Sequence, residues 1–349
     1  MVANNKLRET QALIRVGIAG FGKMGKIRAK AVLAHADMEL VAVFDINESV
    51  LDGLADVVGC ASFDDLLKQD IDALVICAFN SVASEYAAKG LQAGFHVFCE
   101  KPPAKTVAEL EVVRRIEDST GLILKYGFNH RFHYSVIEAK KIMDSGEMGN
   151  ILWMRGVYGK AGSIDYHKEW RNYRQYSGGG ILMDQGIHML DLMLYFSGQK
   201  FSDVHAYLTN AHWDVEAEDN AFVMMKTKDG LISTIHSSAT QWRHKFLLEI
   251  MFEHGYLNLD GILSETRSYA PERLIIGKSE KEHITYAMGK PDEIVMNFEQ
   301  DDSWQLEINE FADAINGNKA VLHGRSSDAM NVMELIEAIY DQSGYYQNA

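Results

Sequence analysis

Over residues 15–126 the chain alternates short, nearly continuous apolar runs with stretches of helical periodicity, and this alternation restricts it to few folds. The runs at 16–19, 40–44, 73–78, 96–99 and 122–125 have the length and composition of strands covered on both faces. Between them, 23–34, 49–57, 82–93 and 107–117 carry helix formers at helical spacing. Strands joined by helical crossovers make a doubly wound parallel sheet, so an α/β fold is expected for this half.

The first crossover reads Gly20-Phe21-Gly22-Lys23-Met24-Gly25, directly after a strand and opening a helix. A Cβ at the first glycine obstructs the tight turn, one at the second blocks approach of a pyrophosphate, and one at the third separates helix from strand. The second strand ends at Asp45, about twenty residues on, where a carboxylate accepts hydrogen bonds from an adenosine ribose. Its charge repels a 2′-phosphate and no arginine lies between Asp45 and Ser49, so NAD is expected rather than NADP. An alternative makes Asp45 the cap of a helix starting near Glu48, a duty open also to Asn47 and Ser49.

At 349 residues the chain exceeds what one core usually supports, so two domains are expected: 1–128, with a polar lead-in over 1–14, and 129–349. The 34 basic and 49 acidic side chains leave a formal charge of -15, which argues against nucleic acid or an anionic membrane as partner. It also means that cofactor phosphates must be held by local devices, such as backbone amides at a helix N-terminus. Cys60, Cys77 and Cys99 are odd in number, with no CxxC pair, which speaks against a disulfide framework or a structural zinc site. No secretion signal or membrane-spanning apolar run is present, and a cytoplasmic location is expected.

After Phe128 longer alternating segments at 151–158, 204–209, 221–227, 231–237 and 245–252 predict antiparallel strands with one face free for packing. Lys228-Asp229-Gly230 is a hairpin signal, and an amphipathic helix is expected over 327–340. Trp153, Tyr158, Tyr207 and Trp242 suit either the open face of that sheet or its core.

The run Cys99-Glu100-Lys101-Pro102-Pro103 puts a lysine at the carboxyl end of the parallel sheet, where α/β ligands bind. Together with the glycine-rich turn and the segment Gly178-Gly179-Gly180-Ile181-Leu182-Met183-Asp184-Gln185-Gly186-Ile187-His188, it resembles the Gfo/Idh/MocA oxidoreductases. The resemblance implies a Rossmann domain, then an α/β domain on a large, mostly antiparallel, open-faced sheet, with the active site between them. It implies that Lys101 contacts the nicotinamide ribose and the substrate hydroxyl, and that Asp184 and His188 form the acid–base pair. Glu100, Asn80, Asn129, Trp170 and Arg171 match cofactor-side positions, and Arg131 and Phe132 complete an Asn-x-Arg-Phe segment between the domains. It also implies a homodimer or homotetramer formed through the open sheet. The cofactor loop departs from the family pattern: Ala78-Phe79-Asn80 and Ala83 stand where Thr-Pro-Asn and a histidine are common.

The residue types fit that chemistry independently. Oxidising a secondary alcohol by hydride transfer needs a base for the hydroxyl proton and a cation beside the developing alkoxide, which His188 and Lys101 supply. On a helix, Asp184 and His188 lie one turn apart on one face. His188 also fits a core position, and Asp184 and His188 have metal-ligand spacing with Asp191 nearby. Lys101 at the same cleft would repel a cation, so no metal is expected. Arg131, Tyr158, Tyr166, Asp184, His188, Gln241 and Trp242 are the candidate substrate contacts, with His236 and Arg243 further possibilities. The Glu100-Lys101-Pro102-Pro103 variant, together with Gln241-Trp242-Arg243-His244, resembles family members that oxidise sugars or nucleotide sugars in bacterial surface-glycan synthesis, and the resemblance implies a sugar hydroxyl as substrate, foremost that of a nucleotide sugar. A free polyol such as inositol and a non-catalytic NAD-occupied regulator are the alternatives.

Overall fold

The computed structural model describes residues 12–53, 56–279 and 289–346. Six parallel strands, β1 (Ile14–Ala19), β2 (Met38–Phe44), β3 (Val58–Cys60), β4 (Ala73–Ile76), β5 (His96–Glu100) and β6 (Leu124–Gly127), form the first sheet in the order β3-β2-β1-β4-β5-β6. Their crossovers carry α1 (Lys23–Leu33), α2 (Phe63–Leu66), α3 (Asn80–Gln92) and α4 (Val107–Thr120). Strand order reverses between β1 and β4, which opens a crevice at their carboxyl ends.

The helix expected over 49–57, of which 54 and 55 lie outside the described residues, is not formed over the described ones. A single 3-10 turn, Glu48–Leu51, is followed by Gly53 at φ +80°, a left-handed conformation that a helix cannot continue through, and then by β3. Asn47 caps this turn by accepting from the Ser49 N–H, which leaves Asp45 free of that duty.

The second sheet has eight strands: β7 (Ile151–Gly159), β8 (Phe201–Thr209), β9 (Asn220–Thr227), β10 (Ile232–Ser238), β11 (Lys245–Phe252), β12 (Gly255–Asp260), β13 (Glu272–Lys278) and β14 (Glu293–Phe298). Their order is β14-β13-β12-β11-β7-β10-β9-β8, antiparallel throughout except where β7 pairs with β10. The helices of this half are α5 (Tyr134–Asp144), α6 (Arg174–Ser177), α7 (Ile187–Ser197), α8 (Ser303–Ile315) and α9 (Ser326–Ser343). α7 lies so close to the middle strand that a Cβ on Gly156 would come within 2.7 Å of the Met189 side chain.

Period-two alternation gives this sheet two unlike faces. Met154, Gly156 and Tyr158 point inward from β7, whereas Trp153 on β7, Tyr207 on β8, and Phe222 and Met224 on β9 are exposed on the outer face. Trp153 and Tyr158 are an odd number of residues apart, so they cannot share a face.

α8 returns to the first sheet. Its Ile308, Phe311 and Ala312 join Val16, Ile18 and Phe98 in one core, with the Phe98 and Phe311 rings 5.7 Å apart. Among the described residues no helix is long and apolar enough to cross a membrane.

Candidate active site

A cleft of about 670 Å³ runs from the β1–α1 turn to the start of α7. The turn is shaped as its glycines require. Gly20 takes φ +91° with its Cα so near β4 that a Cβ would meet the Cys77 carbonyl at 2.5 Å, and a Cβ on Gly25 would collide with the Gly20 carbonyl. A Cβ on Gly22 would meet no protein atom; the space beside it belongs to the cleft. α1 has no side-chain cap and no acidic residue in its first turn, so its N-terminal N–H groups are available to phosphate oxygens.

Asp45 lines the same cleft. Its Oδ2 accepts from the Phe21 N–H at 2.6 Å and its Oδ1 from the Asn47 N–H at 2.8 Å, which fixes the carboxylate at the tip of β2. Lys23, Met24, Asn80, Asn129, Trp170 and Arg171 also line the cleft. Asn80 is tied to the second half by donating to the Ser177 carbonyl at 2.9 Å.

The other wall begins with the triple glycine. Gly178 ends α6 at φ +81°. A Cβ at Gly179 would run into the Tyr340 hydroxyl, and one at Gly180 into Glu218. Buried Glu218 accepts from the Gly180 and Leu182 N–H groups, clamping the segment to α9. A π-helical turn, Leu182–Gly186, follows and leads into α7. Asp184 sits in that turn and His188 in the first turn of α7.

Asp184 is held by three cations. Lys160 Nζ donates to its Oδ2 at 2.8 Å, Lys101 Nζ lies 3.4 Å and Arg171 Nε 3.3 Å from its Oδ1, and Lys101 also donates to its backbone carbonyl at 2.6 Å. Burial alone would favour the neutral acid, but Lys160, Lys101 and Arg171 pull the carboxyl well below its usual range. Burial lowers the Lys101 ammonium from its ordinary value, opposed by Asp184.

His188 is buried, and its Nδ1 has no hydrogen-bond partner among the described residues. Its ring stacks on His130 with centroids 3.8 Å apart. His130 in turn shares hydrogen bonds with Asn129 Oδ1 at 3.2 Å and Tyr158 OH at 3.1 Å. Burial, aided by Lys101, pushes the His188 imidazole well below its ordinary range, and burial with the neighbouring histidines does the same to His130. Two neutral imidazoles therefore stand at the cleft. No group of three or more His, Cys, Asp or Glu side chains among the described residues is arranged to hold a metal ion.

Several expected site residues lie elsewhere. The Phe21 side chain is buried in the core under the turn. Glu100 reaches the cleft edge, but Arg28 Nε engages its carboxylate at 2.6 Å. Arg131 is buried behind the site, clasping Asp191 through two hydrogen bonds of 2.6 and 2.8 Å, because two charges leaving water together must pair. Tyr166 packs with Ile181, Ala239 and Trp213. Gln241 lies over Gly159, and Trp242 is 62% exposed beside His212. His236 stacks on Phe222 at the outer face of the sheet. Of the expected substrate contacts, Tyr158, Asp184 and His188 line the cleft.

Sequence patterns missed Lys160 and His130. Parity could have found Lys160, since it follows Tyr158 by two residues and so continues the inward row of β7. His130 lay unread inside the Asn-x-Arg-Phe segment.

The fold and this cleft define a class, the NAD(P)-binding oxidoreductases. Two family models match: the oxidoreductase family with an NAD-binding Rossmann fold over residues 14–128, and the GFO/IDH/MocA C-terminal domain over 136–258. The chain belongs to the Gfo/Idh/MocA family of oxidoreductases. Inositol 2-dehydrogenase of Rhizobium meliloti (strain 1021) is 29% identical over 64% of this chain and 68% of its own. D-glucoside 3-dehydrogenase of Escherichia coli (strain K12) is 29% identical over 70% of this chain and 75% of its own. The solved structure of the WlbA dehydrogenase from Bordetella pertussis, in complex with NADH and UDP-GlcNAcA, superimposes with a TM-score of 0.80 over 97% of this chain and 98% of that one, at 20% identity.

Proposed function

We propose that the protein oxidises a secondary hydroxyl of a sugar to a ketone, with NAD as the hydride acceptor. The observation that carries this is a neutral, buried imidazole at His188, with its Nδ1 unpartnered, in the same cleft as Lys101. His188 takes the hydroxyl proton. Lys101 donates a hydrogen bond to the substrate oxygen and stabilises the charge that develops on it. Asp184 holds the Lys101 ammonium in place, and His130, braced by Tyr158, keeps the His188 ring in one plane by stacking.

The residues of the first wall fit a dinucleotide. The open space at Gly22 and the uncapped start of α1 would hold its pyrophosphate, and Asp45 its adenosine ribose. When bound, the nicotinamide supplies the hydride-accepting carbon. Asp45 disfavours a 2′-phosphate, and the segment from Asp45 to Gly53 contains no lysine or arginine to receive one, which supports NAD over NADP.

Nucleotide sugars remain the preferred substrate class, since the WlbA dehydrogenase shares this fold. A free polyol is the second reading, favoured by the 29% identity to an inositol 2-dehydrogenase. A panel of nucleotide sugars, aldoses, sugar acids and inositols, followed at the NADH absorbance band, separates them. Oxidation confined to inositols replaces the first reading with the second, and no NADH formation with any member defeats both. The exposed apolar row at Trp153, Tyr207, Phe222 and Met224 supports a homodimer or homotetramer through the second sheet. Light scattering on the eluted protein should give twice or four times the 39.2 kDa chain mass; a monomer would refute this.

A further inference from the structure

The cations at Asp184 outnumber what one carboxylate can neutralise. Lys101, Lys160 and Arg171 all pair with it, leaving two positive charges in excess at a point inside a chain whose net charge is -15. Lys101 and Lys160 are not solvated surface lysines, since their side chains are 18% and 17% exposed. Excess charge withdrawn from water is costly unless a counter-charge arrives.

The protein does not supply one. Asp184 is the ion-pair partner of each of these cations among the described residues, and the nearest carboxylate along the chain from Lys101, Glu100, is committed to Arg28. Apart from Asp184 and its two other cations, the groups named near Lys160 are neutral: the Tyr166 ring lies 5.5 Å from its Nζ, and the His244 imidazole, held below its ordinary range by burial and by Lys160, packs against Tyr269. Two buried atoms on this side, Gln185 Oε1 and His244 Nδ1, also lack hydrogen-bond partners among the described residues. The phosphate cradle at Gly22 belongs to the opposite wall, so a bound pyrophosphate answers a different need. Even if Arg171 serves the cofactor, Lys160 is left over.

We propose that the sugar accepted here carries its own negative charge on the reacting ring, as a carboxylate or a phosphate ester, and that Lys160 binds that group. The inference deepens the sugar-dehydrogenase assignment and rests on it. Lys160 thus selects the substrate, while Lys101 and His188 handle the reacting hydroxyl.

The test is calorimetric binding to NADH-loaded protein, using matched sugars that differ in charge: glucose against glucuronate and glucose 6-phosphate, and UDP-glucose against UDP-glucuronate. At least one anionic member should bind roughly tenfold or more tightly than its neutral partner, a difference typical of one desolvated charge contact. Lys160→Met should abolish that preference while leaving NADH affinity and any neutral-sugar affinity within roughly threefold, and Lys160→Arg should restore part of it. The preferred member tells carboxylate from phosphate. Equal binding of charged and neutral partners, absence of binding by every anionic sugar, or a preference that survives in Lys160→Met would overturn the proposal. Because binding is read without turnover, a sugar that binds through Lys160 but is never oxidised counts against the dehydrogenase assignment instead.

Discussion

Two clusters of buried charge stand on either side of the end of β5, and their stoichiometries are opposite. In one, the Arg28 guanidinium is shared by two carboxylates, Glu100 and Glu307, each at 2.6 Å, and lies over the Phe98 and Trp304 rings. In the other, the Asp184 carboxylate is shared by three cations. Glu100 and Lys101 are consecutive residues, yet one serves the first cluster and the other the second. The first cluster is offset within the protein: Arg28 is 0% exposed and ties α1 and α8 to β5, and the second carboxylate, Glu307, is countered by the nearby Lys125 and by burial that favours its neutral form. Burial works against the Arg28 charge, but Glu100 and Glu307 raise its pKa, and burial pushes the Glu307 carboxyl up to about 7. The second cluster opens on the cleft. Buried charge matched by the fold holds the fold together, whereas buried charge left unmatched marks where a ligand completes the set.

The largest test of that contrast is Arg28→Met, which strands two buried carboxylates and should lower unfolding stability by about 3–5 kcal/mol. Denaturant midpoints measure it, and a loss below about 1 kcal/mol would erase the distinction between the clusters. Lys101→Met should do the reverse. Turnover should fall roughly a hundredfold, with NADH affinity and the unfolding midpoint nearly unchanged; full activity in this variant removes Lys101 from the chemistry.

The pH response sharpens the same contrast. Burial and the adjacent Lys101 hold His188 well below the ordinary 6.5, so its proton-accepting form persists into mildly acid solution. The acid limb of kcat/KM should therefore lie below pH 6.5, and a limb above it would mean that His188 is not the base. Stability follows with the same sign: below pH 6.5 the unfolded chain binds a proton that the folded state resists, so the stability present above 6.5 is lost as pH falls toward the folded value. The smallest effect is expected from Asp45→Ala, with the half-saturating NAD concentration raised about tenfold, the scale of one hydrogen bond to a charged group, and the unfolding midpoint little changed. An unchanged NAD response would separate Asp45 from the ribose.

The first wall of the cleft was readable because its parts are local. The turn, its three glycines and Asp45 fall within a single βαβ unit, and each has a backbone reason that a short stretch of sequence expresses. Lys101, Asp184 and His188 were readable through a family resemblance, and the residues themselves supplied only the acid–base types. Arg131, Tyr166, Gln241 and Trp242 fall outside the lining of the cleft, because residue type says what a side chain can bind, not which way it faces. The expected helix over 49–57 failed on one left-handed glycine.

Sequence by itself determined the doubly wound sheet, the glycine-rich turn and the carboxylate at the tip of β2, because apolar periodicity and glycine stereochemistry act over a few residues. Only the tertiary structure decided that α8 returns to the first sheet, that Glu100 belongs to Arg28, and that Lys160 and His130 join the site. Those pairings join residues far apart in the chain or set by side-chain direction. They follow from which charges and rings must satisfy one another once water is excluded, a requirement that no local pattern carries.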